Sequence, residues 1–509
     1  MSQPVHSVLS PHRQRMALII ASIVAQFALY VVVLVQFTQY FVYFYWICVG
    51  VSLAVSLFIS TLTFKMAYKI AWIIPILLVP LIGGVMYIIL GGSRKPHYRR
   101  AETRRAMKHY LVPQLSTTDF LHYGADAMQQ AWYLEHAALC PAYRNTETTY
   151  YPTGADFFPV FLRELAQAKE YIFLEYFIIA EGSMWSDVLD ILTEKAAAGV
   201  EVRVFYDDMG SIGFVDTAFA KKLQQRGIQC RVFNPIVPVL NVFMNNRDHR
   251  KITVIDGQVG YTGGYNLADE YFNLTHPYGR WKDSGVRLEG DAVRNLTLIF
   301  LEMWGTTQKE MPAIEPYLPA IRYTAREAAT VLPYADNPLD DKRVGEDVYL
   351  NFINSAQRYV YITTPYLILS DEMQRALVLA AQRGVDVRII TPGIPDKKLI
   401  FSVTRSYYAR LAAGGVQIYE YTPGFIHAKQ FVADDKAAAV GTINLDYRSL
   451  YLHFENGCWF CGCQAVQDVR ADFEALFPQC ENVTPQYSGQ RSLALRGVQC
   501  VFRLFSPLM

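Results

Sequence analysis

Two strings in this sequence combine histidine, lysine and asparagine side chains with the same spacing. The first reads H-x-K-x4-D-x6-G-G-x-N from His249, and the second reads H-x-K-x4-D-x6-G-T-x-N from His427. In such a string lysine supplies a point charge, asparagine and backbone amides supply hydrogen-bond donors, and histidine supplies a nucleophile or a proton carrier. The set suits chemistry at a phosphate, and two copies with identical gaps indicate one reaction centre.

Each string contains candidates for catalysis and for substrate binding. The candidate catalytic residues are His249, Lys251, Asp256, His427, Lys429 and Asp434, and the candidate substrate-binding residues are Gly264, Asn266, Thr442 and Asn444. A lone H-x-K on a strand is usually a surface pair, so it is the duplication that favours catalysis. Asp256 and Asp434 have two open interpretations, a chemical role and a structural role in which they accept hydrogen bonds from turn amides.

Two histidines can divide the work of substitution at phosphorus. One imidazole attacks and forms a phosphohistidine, while the other protonates the leaving oxygen and later takes a proton from the incoming nucleophile. Two lysines and the amide donors stabilise the equatorial charge, so we expect neither a metal ion nor another cofactor. An attacking histidine needs its other ring nitrogen oriented, and Asp283 and Glu455, a short way beyond each string, are the candidate carboxylates.

The strings begin on predicted β-strands. Residues 249–255 alternate and are rich in β-branched side chains, which predicts a strand on which His249 and Lys251 share one face. Asp256 and Gly257 then predict a turn at the end of that strand. The second string repeats this arrangement.

A longer repeat surrounds the strings. The buried-strand pattern of residues 171–177 returns at 359–366, and a helical pattern follows each of them, over 185–198 and 371–383. Each half then continues with a strand, a second helix and the histidine strand. This alternation predicts an α/β fold of two similar halves related by a pseudo-twofold axis, with the reaction centre at their interface.

Apolar runs near the N-terminus predict transmembrane helices. No charged residue occurs from Met16 to Phe64, which predicts two spans of about 16–37 and 41–64, and a third uncharged run covers about 70–93. Tyrosine and tryptophan near the ends of these runs disfavour the alternative of a buried hairpin in a soluble domain.

The positive charges predict which side of the membrane the two halves occupy. With three spans, Lys65 and Lys69 lie on one side together with the N-terminus, and the basic cluster at 94–108 lies on the other side, next to the halves. The larger cluster favours a cytoplasmic location for the halves. The same cluster is either a patch for anionic lipid headgroups or simply a topology signal.

These patterns divide the chain into predicted segments. They are a membrane domain (1–93), a basic linker and lead-in (94–150), a first half (151–310), a connector (311–345), a second half (346–485) and a C-terminal amphipathic segment (486–509). The last segment is either an interfacial helix or a helix docked on the halves. An apolar stretch at 234–243 is either a rim that contacts acyl chains or a loop packed on the sheet.

Composition excludes some classes of function. Lysine and arginine number 47 against 46 acidic residues, a net charge of +1, so nothing indicates bulk binding to nucleic acid. Of the eight cysteines only Cys458, Cys461 and Cys463 cluster, and no second pair with metal-ligand spacing is evident. Their strand-like alternation favours buried free thiols.

The paired strings resemble the signature of the phospholipase D superfamily, and within it the chain is most similar to bacterial cardiolipin synthases. The resembling segments are 246–251, 263–266, 269–271, 281–283 and 504–508. The resemblance implies two phospholipase D-like α/β/α sandwich halves behind N-terminal transmembrane helices. By position it also implies that His249 is the nucleophile and His427 the general acid and base, with Thr442 where serine is common.

The same resemblance implies a membrane phosphatidyltransferase that makes cardiolipin from two phosphatidylglycerol molecules and releases glycerol. The implied partners are phosphatidylglycerol, other anionic phospholipids and the lipid bilayer. The rival functions are hydrolysis of a phospholipid headgroup, transfer involving phosphatidylethanolamine or another alcohol, and non-catalytic lipid binding. Intact histidine, lysine and asparagine in both strings argue against the last, and the apolar spans argue against a superfamily nuclease.

Overall fold

Two mixed β-sheets with helices on their faces form the two similar halves of the protein. The computed structural model describes residues 24–32, 41–62, 65–88, 124–235, 246–308, 313–327, 329–340, 342–488, 503, 504 and 506. Within them the strand order of the first sheet returns in the second. This confirms the predicted α/β class and the predicted pair of halves.

The first sheet has seven strands. In chain order they are β1 (Thr146–Tyr151), β2 (Tyr171–Tyr176), β3 (Glu201–Asp207), β4 (Gln229–Phe233), β5 (Lys251–Ile255), β6 (Val259–Gly263) and β7 (Gly285–Gly290). Across the sheet the order is β1-β7-β6-β5-β2-β3-β4, with β2, β3 and β4 parallel and the other neighbours antiparallel. The parallel strand β2 is buried along its whole length, which explains its nearly unbroken apolar sequence.

The second sheet has eight strands and repeats the first. They are β8 (Thr330–Asp336), β9 (Tyr359–Thr363), β10 (Asp386–Pro392), β11 (Gln417–Tyr421), β12 (Gln430–Ala433), β13 (Ala437–Gly441), β14 (Glu455–Cys461) and β15 (Cys480–Asn482), in the order β15-β11-β10-β9-β12-β13-β14-β8. The run β11-β10-β9-β12-β13-β14 corresponds to β4-β3-β2-β5-β6-β7 in direction and pairing. The two motif strings therefore lead into equivalent strands, β5 and β12.

Helices connect the strands and cover the sheets. They are α1 (Phe41–Thr61), α2 (Met66–Leu78), α3 (Pro80–Met86), α4 (Ala125–Trp132), α5 (Gly154–Gln167), α6 (Ser183–Ala197), α7 (Asp208–Ser211), α8 (Phe219–Gln225), α9 (Val293–Gly305), α10 (Val344–Ser355), α11 (Asp371–Gln382), α12 (Lys398–Ala413), α13 (Tyr447–Tyr451), α14 (Gln464–Leu476) and α15 (Thr484–Ser488). A π-helical turn at Tyr133–Ala137 and 3-10 turns at Asp269–Phe272, Glu315–Tyr317 and Phe477–Gln479 complete the set. The predicted helices at 185–198 and 371–383 correspond to α6 and α11. Helix α11 begins where the Ser370 side chain accepts a hydrogen bond from the Met373 amide, which satisfies one of the free amides of its first turn.

An apolar core with residues of both sheets joins the two halves. It contains Val254 of β5, Val432 of β12, and Leu296 and Trp304 of the central helix α9, all of them buried. Close packing across both sheets resists relative movement of the halves. A site whose parts come from both halves is held in place by this shared core.

One helix among the described residues is long and apolar enough to cross a membrane. It covers Val42–Thr61, with a mean hydropathy of 2.1. The third predicted span, 70–93, is not a straight helix where the structure describes it, because α2 ends before Pro80 and the rings of Trp72 and Tyr87 lie 5.5 Å apart. A straight helix would separate these residues by about 22 Å. The chain therefore folds back at the proline.

The segment between α1 and α2 contacts the second half. Lys65 Nζ lies 3.2 Å from a carboxylate oxygen of Glu346 on α10 and 3.1 Å from one of Glu372 on α11, and it lies over the Tyr451 ring at 5.7 Å. The predicted topology separated Lys65 from the catalytic halves by the membrane. That placement is wrong, because the side chain reaches two carboxylates of the second half.

Several predicted features lie outside the described residues. They are most of the first predicted span, the basic cluster at 94–108, most of the stretch at 234–243 and most of the segment at 486–509. The cysteine cluster is described: Cys458 and Cys461 are buried free thiols on β14, and burial raises the pKa of Cys461 to about 12. The prediction of buried thiols is confirmed for Cys458 and Cys461, whereas Cys463 is half-buried.

Candidate active site

The two motif histidines lie just before β5 and β12, where the two sheets meet. The backbone N–H of His249 donates to the carbonyl oxygen of Phe454 at 2.9 Å, and that of His427 donates to the carbonyl oxygen of Lys282 at 2.7 Å. Phe454 directly precedes β14, whereas Lys282 lies shortly before β7. The main chain of each histidine is therefore bonded to the opposite half.

Each imidazole is also held by a carboxylate from the opposite half. His249 Nδ1 lies 2.9 Å from both carboxylate oxygens of Glu455, and His427 Nδ1 lies 2.6 Å from Asp283 Oδ2. Both carboxylates were candidates for orienting a histidine. Their order along the chain does not reveal the exchange, because each follows the string of its own half.

Gly264 and Thr442 occupy equivalent positions and support these carboxylates. A Cβ atom at Gly264 would lie 1.9 Å from Asp283 Oδ1, so only glycine leaves room for that carboxylate. Thr442 donates its hydroxyl hydrogen to Glu455, and Ser449 donates to the same carboxylate. The structure packs both Gly264 and Thr442 against the carboxylates that hold the histidines. Their predicted contact with substrate stays a prediction.

The two motif lysines are buried beside the histidines. Lys251 Nζ donates to the carbonyl oxygen of His249 at 2.7 Å. Lys429 Nζ donates to the carbonyl oxygen of His427 and lies 2.7 Å from its Nδ1. Burial is the main reason that the pKa of Lys251 is lowered to about 7 and the pKa of Lys429 to about 8. A bound anion favours the charged form of both lysines.

Burial favours neutral imidazoles at the interface. It lowers the pKa of His249 well below its usual range, and it lowers the pKa of His427 to about 4, with Lys429 adding to the effect. Burial acts to raise the pKa of Asp283, but His427 and Lys429 outweigh it and this pKa is lowered. With its proton on Nδ1, a neutral His427 donates to the ionised Asp283 and presents a lone pair on Nε2.

The two histidine–carboxylate pairs differ in their charge balance. Burial raises the pKa of Glu455 well above its usual range, although Lys251 and the hydroxyl groups of Ser449 and Thr442 act in the opposite direction. The pKa of Asp283 moves the other way. The two pairs are therefore alike in geometry and unlike in their tendency to carry charge.

Asn266 and Asn444 lie in the loops that follow β6 and β13. Asn266 Oδ1 accepts a hydrogen bond from the Ile178 amide at 3.0 Å, and its Nδ2 donates to the Tyr271 hydroxyl at 2.6 Å. Asn444 Oδ1 is buried and has no hydrogen-bond partner in the part of the chain that the structure describes. The predicted contact of these two amides with substrate oxygens stays a prediction.

Asp256 and Asp434 lie at the ends of β5 and β12 that are remote from the histidines. The Asp256 carboxylate accepts hydrogen bonds of 2.8 to 2.9 Å from the backbone amides of 169–171. The Asp434 carboxylate accepts bonds of 2.7 to 2.9 Å from the equivalent amides of 357–359. The rise of a strand puts each carboxylate about 20 Å from its histidine. Both take the structural role that the sequence left open, and neither reaches the imidazoles.

An aromatic cluster beside His427 was missed by the sequence reasoning. The rings of Tyr271, Trp281 and Phe425 surround the His427 ring with centroid distances of 5.3, 5.5 and 5.9 Å. Trp281 stands two residues before Asp283. That spacing is the signal that would have found it, because alternate residues of an extended chain share a face.

The His249 ring has different neighbours, which were also missed. Phe177 packs edge-on against it at 4.9 Å, and the ring of His453 lies 5.6 Å away. His453 stands two residues before Glu455, so the same spacing applies. It is the counterpart of the tryptophan beside His427.

Ligand atoms of His249, His453 and Glu455 lie within 4.8 Å of one another, which is close enough to consider a metal ion. Burial is the main cause of a lowered pKa at His453, and nearby cations add to it. These cations are Arg448, Arg247, Lys251 and Lys397. Because like charges repel strongly in a buried site, these surroundings oppose a divalent cation and favour an anion.

Comparison with protein families agrees with the division into two halves. The chain matches the family described as "Cardiolipin synthase, PLD-like domain" over residues 161–304 and 349–477. It also matches the family described as "Phospholipase_D-nuclease N-terminal" over residues 52–92. The first match covers the two sheets, and the second covers the apolar helices that precede them.

Related proteins cover most of the chain. An uncharacterized protein of Streptococcus mutans is 44% identical over 442 residues, which are 86% of this chain and 96% of that protein. A cardiolipin synthase of Geobacillus sp. is 33% identical over 459 residues, which are 86% of this chain and 88% of that protein. The crystal structure of phosphatidylserine synthase from Haemophilus influenzae shares the fold, with a TM-score of 0.56 and 14% identity over 75% of this chain and 99% of that one.

Proposed function

The chain belongs to the cardiolipin synthase family with a phospholipase D-like domain and is a phosphatidyltransferase, and we propose that it makes cardiolipin from two phosphatidylglycerol molecules with release of glycerol. The observation that carries this proposal is the pair of histidines at one interface, each held at Nδ1 by a carboxylate of the opposite half. Two such imidazoles supply an attacking nitrogen and a proton carrier for one phosphorus atom.

In the first half-reaction, His249 Nε2 attacks the phosphorus of one phosphatidylglycerol. With its proton on Nδ1, where it is donated to Glu455, His249 presents on Nε2 the lone pair that forms the nitrogen–phosphorus bond. The bond from phosphorus to the headgroup oxygen breaks, and His427 gives a proton to that oxygen; the negative charge of the bound phosphodiester raises the lowered pKa of His427 and so favours the protonated form that this step needs. Glycerol leaves as a neutral molecule, and a phosphatidyl-histidine remains.

In the second half-reaction, His427 is neutral and acts as a base. It removes the proton from the terminal hydroxyl of a second phosphatidylglycerol, and the hydroxyl oxygen attacks the phosphorus. The nitrogen–phosphorus bond breaks, so that cardiolipin leaves and His249 is free again. One phosphodiester replaces another, and the reaction therefore requires that water be kept away from the intermediate.

The lysines give the site its affinity for anionic oxygen. Lys251 and Lys429 lie one on each half, next to the two histidines. A negatively charged phosphodiester raises their lowered pKa values and keeps both charged. Together with Asn266 and Asn444 they stabilise the equatorial oxygens in the transition state.

We assign the catalytic halves to the cytoplasmic side of the membrane and the N-terminal region to a multi-pass anchor. Lys65 contacts the second half, so it lies on the same side of α1 as the catalytic halves. The basic residues of 94–108 precede the first half directly. Positive charge on the side of the catalytic halves favours the cytoplasm for that side. The uncharged residues that precede α1 support a further membrane span.

The test is lipid mass spectrometry on the purified full chain in vesicles of phosphatidylglycerol alone, without added metal. We expect cardiolipin and glycerol in equal amounts from the wild-type protein and neither from His249→Ala. Phosphatidic acid in place of cardiolipin would replace the proposal with a hydrolase. Cardiolipin that appears only after phosphatidylethanolamine is added would show that phosphatidylglycerol does not serve as both donor and acceptor.

A further inference from the structure

We propose that His453 is a third imidazole of the reaction centre, which binds a non-bridging oxygen of the donor phosphodiester beside the attacking histidine. This role rests on the proposed function, because the oxygen belongs to the phosphodiester that His249 attacks. It adds a substrate contact that lies outside the two paired strings.

The His453 ring lies beside the His249 ring without being bonded to it. Their centroids are 5.6 Å apart, and His453 Nδ1 is 3.7 Å from Glu455 Oε1, which is too long for a hydrogen bond. The backbone N–H of His453 donates to the carbonyl oxygen of Arg448 at 2.9 Å, which anchors the turn between α13 and β14. The ring is thus held at the flank of the attacking imidazole.

The hydrogen-bonding capacity of this ring is unused. Neither ring nitrogen of His453 has a hydrogen-bond partner among the residues that the structure describes, although only 11% of the side chain is exposed. Buried polar groups in folded proteins almost always have partners, and an exception calls for an explanation. A ligand oxygen that arrives with the substrate supplies one.

The charge around His453 indicates what kind of ligand that is. Cationic groups face it from α13, from β5 and the residues before β5, and from the residue that precedes α12; they are Arg448, Lys251, Arg247 and Lys397. The nearby carboxylate of Glu455 already receives His249 and two hydroxyl groups. The four cations attract an anion even though Arg247 also pairs with Asp207, so a phosphodiester oxygen fits this flank better than a metal ion does.

The position of the ring indicates which phosphodiester oxygen it meets. In an in-line substitution the attacking nitrogen and the leaving oxygen lie on opposite sides of phosphorus, and the non-bridging oxygens lie between them. His453 flanks the attacking His249, whereas His427 protonates the leaving oxygen. His453 is therefore placed for a non-bridging oxygen and away from the leaving glycerol.

The first half has no histidine at the matching position. Trp281 stands two residues before Asp283, as His453 stands two residues before Glu455, and each ring packs on the neighbouring catalytic histidine. The two non-bridging oxygens of one phosphodiester thus meet unlike side chains. We expect the enzyme to distinguish the two oxygens.

The test uses phosphatidylglycerol in which sulfur replaces one non-bridging oxygen, prepared as two separate diastereomers with radiolabelled headgroup glycerol. Release of labelled glycerol reports only the molecule that acts as donor. The ratio of kcat/KM for the two diastereomers is measured for the full-length wild-type protein, His453→Phe and His453→Asn. Phe177→Leu is the control, because it removes packing against His249 without removing a polar donor.

We expect the wild-type protein to prefer one diastereomer, because sulfur is the weaker hydrogen-bond acceptor. In His453→Phe, loss of a hydrogen bond to a charged oxygen should lower kcat/KM for ordinary phosphatidylglycerol by about 10- to 100-fold and should reduce the preference. His453→Asn retains an N–H donor and should retain most of the rate and of the preference. Phe177→Leu should lower both rates and leave their ratio unchanged.

A diastereomer ratio that is the same in His453→Phe as in the wild-type protein would overturn the contact. An equal loss of rate in the phenylalanine and asparagine variants, at the wild-type ratio, would reduce His453 to a packing role. Inhibition by added zinc that His453→Phe abolishes, again at an unchanged ratio, would make the ring a metal ligand instead. Glycerol release without cardiolipin would refute the transferase while leaving the contact measurable, because hydrolysis also releases the headgroup.

Discussion

The two halves share a topology and a catalytic string, but the pocket walls beside their histidines differ. Beside His427 the wall is aromatic, formed by Tyr271, Trp281 and Phe425. Beside His249 it contains a further histidine, His453, whose surroundings are cationic. The two strings share their spacing but lie in unequal environments. This difference suits a reaction in which one imidazole must attack and the other must carry protons.

The side chains buried behind the two motif segments also differ, with charged residues in the first half and apolar residues in the second. Behind the first, Glu175, Asp248 and Arg250 are buried together, and burial raises the pKa of Glu175 well above its usual range. The second half has Ile426 and Ala428 where the first has Asp248 and Arg250, and these two are buried in the apolar core. The repeated topology therefore preserves where the histidines stand, while the residues around them decide what each does.

The largest expected effect separates the two histidines. We expect His249→Ala and His427→Ala each to lower cardiolipin formation by about 10⁴-fold or more. A donor with a p-nitrophenyl headgroup needs no acid, so His427→Ala should still release a burst of nitrophenol and form the covalent intermediate. His249→Ala should give no burst, and equal bursts from both variants would contradict the division of roles.

The exchange of carboxylates between halves predicts the next effect. Glu455→Gln and Asp283→Asn should each lower kcat/KM by about 10²- to 10⁴-fold, because the neutral amides hold the imidazoles less well. In the nitrophenyl assay Asp283→Asn should behave like His427→Ala and keep the burst. Glu455→Gln should behave like His249→Ala and lose the burst. The reverse pattern would show that each carboxylate acts on the histidine of its own half.

The lysines predict a moderate dependence on pH. With pKa values lowered to about 7 and about 8, Lys251 and Lys429 are charged below these values and neutral above them. Since kcat/KM reports the free enzyme, it should fall as pH rises from about 7 to 9. Arginine stays charged in this range, so Lys251→Arg and Lys429→Arg should each flatten part of the decline. If neither variant alters the decline in kcat/KM, a group other than these two lysines causes it.

The smallest expected effect on catalysis comes from the two remote aspartates. Asp256→Ala and Asp434→Ala each remove the acceptor of three backbone amides, most of them partly exposed, which should lower the free energy of unfolding by about 1–3 kcal/mol. Thermal unfolding of the two variants, as a matched pair, measures this loss. Activity per folded molecule should stay within about 2-fold of wild type, and a loss comparable to that of the histidine variants would restore a chemical role.

Much of the architecture follows from the sequence pattern alone. Alternation at 249–255 predicts that His249 and Lys251 share a face, and the repeated strand–helix order predicts two equivalent halves. Both features are local or periodic, so a single chain displays them. The exchange of Glu455 and Asp283 between the halves is neither local nor periodic, because it depends on how two strand ends from different halves meet.

The supporting positions and the membrane segment were harder to predict for physical reasons. Gly264 is a glycine because a carboxylate fills the space of its side chain, and no spacing rule records that neighbour. In the N-terminal region, lack of charge is equally compatible with a straight span and with a helical fold-back. The contact of Trp72 with Tyr87 that distinguishes them is a tertiary one.

The cross-held histidines also set an order of events during protein synthesis. Glu455 follows His249 by 206 residues, and His427 follows Asp283 by 144. A ribosome that has completed the first half has therefore made His249 without the carboxylate that holds it and without His427. The apolar N-terminal region is made earlier still, ahead of both halves. On the proposed mechanism, a chain cut short by a premature stop between the halves would therefore be inert towards the membrane.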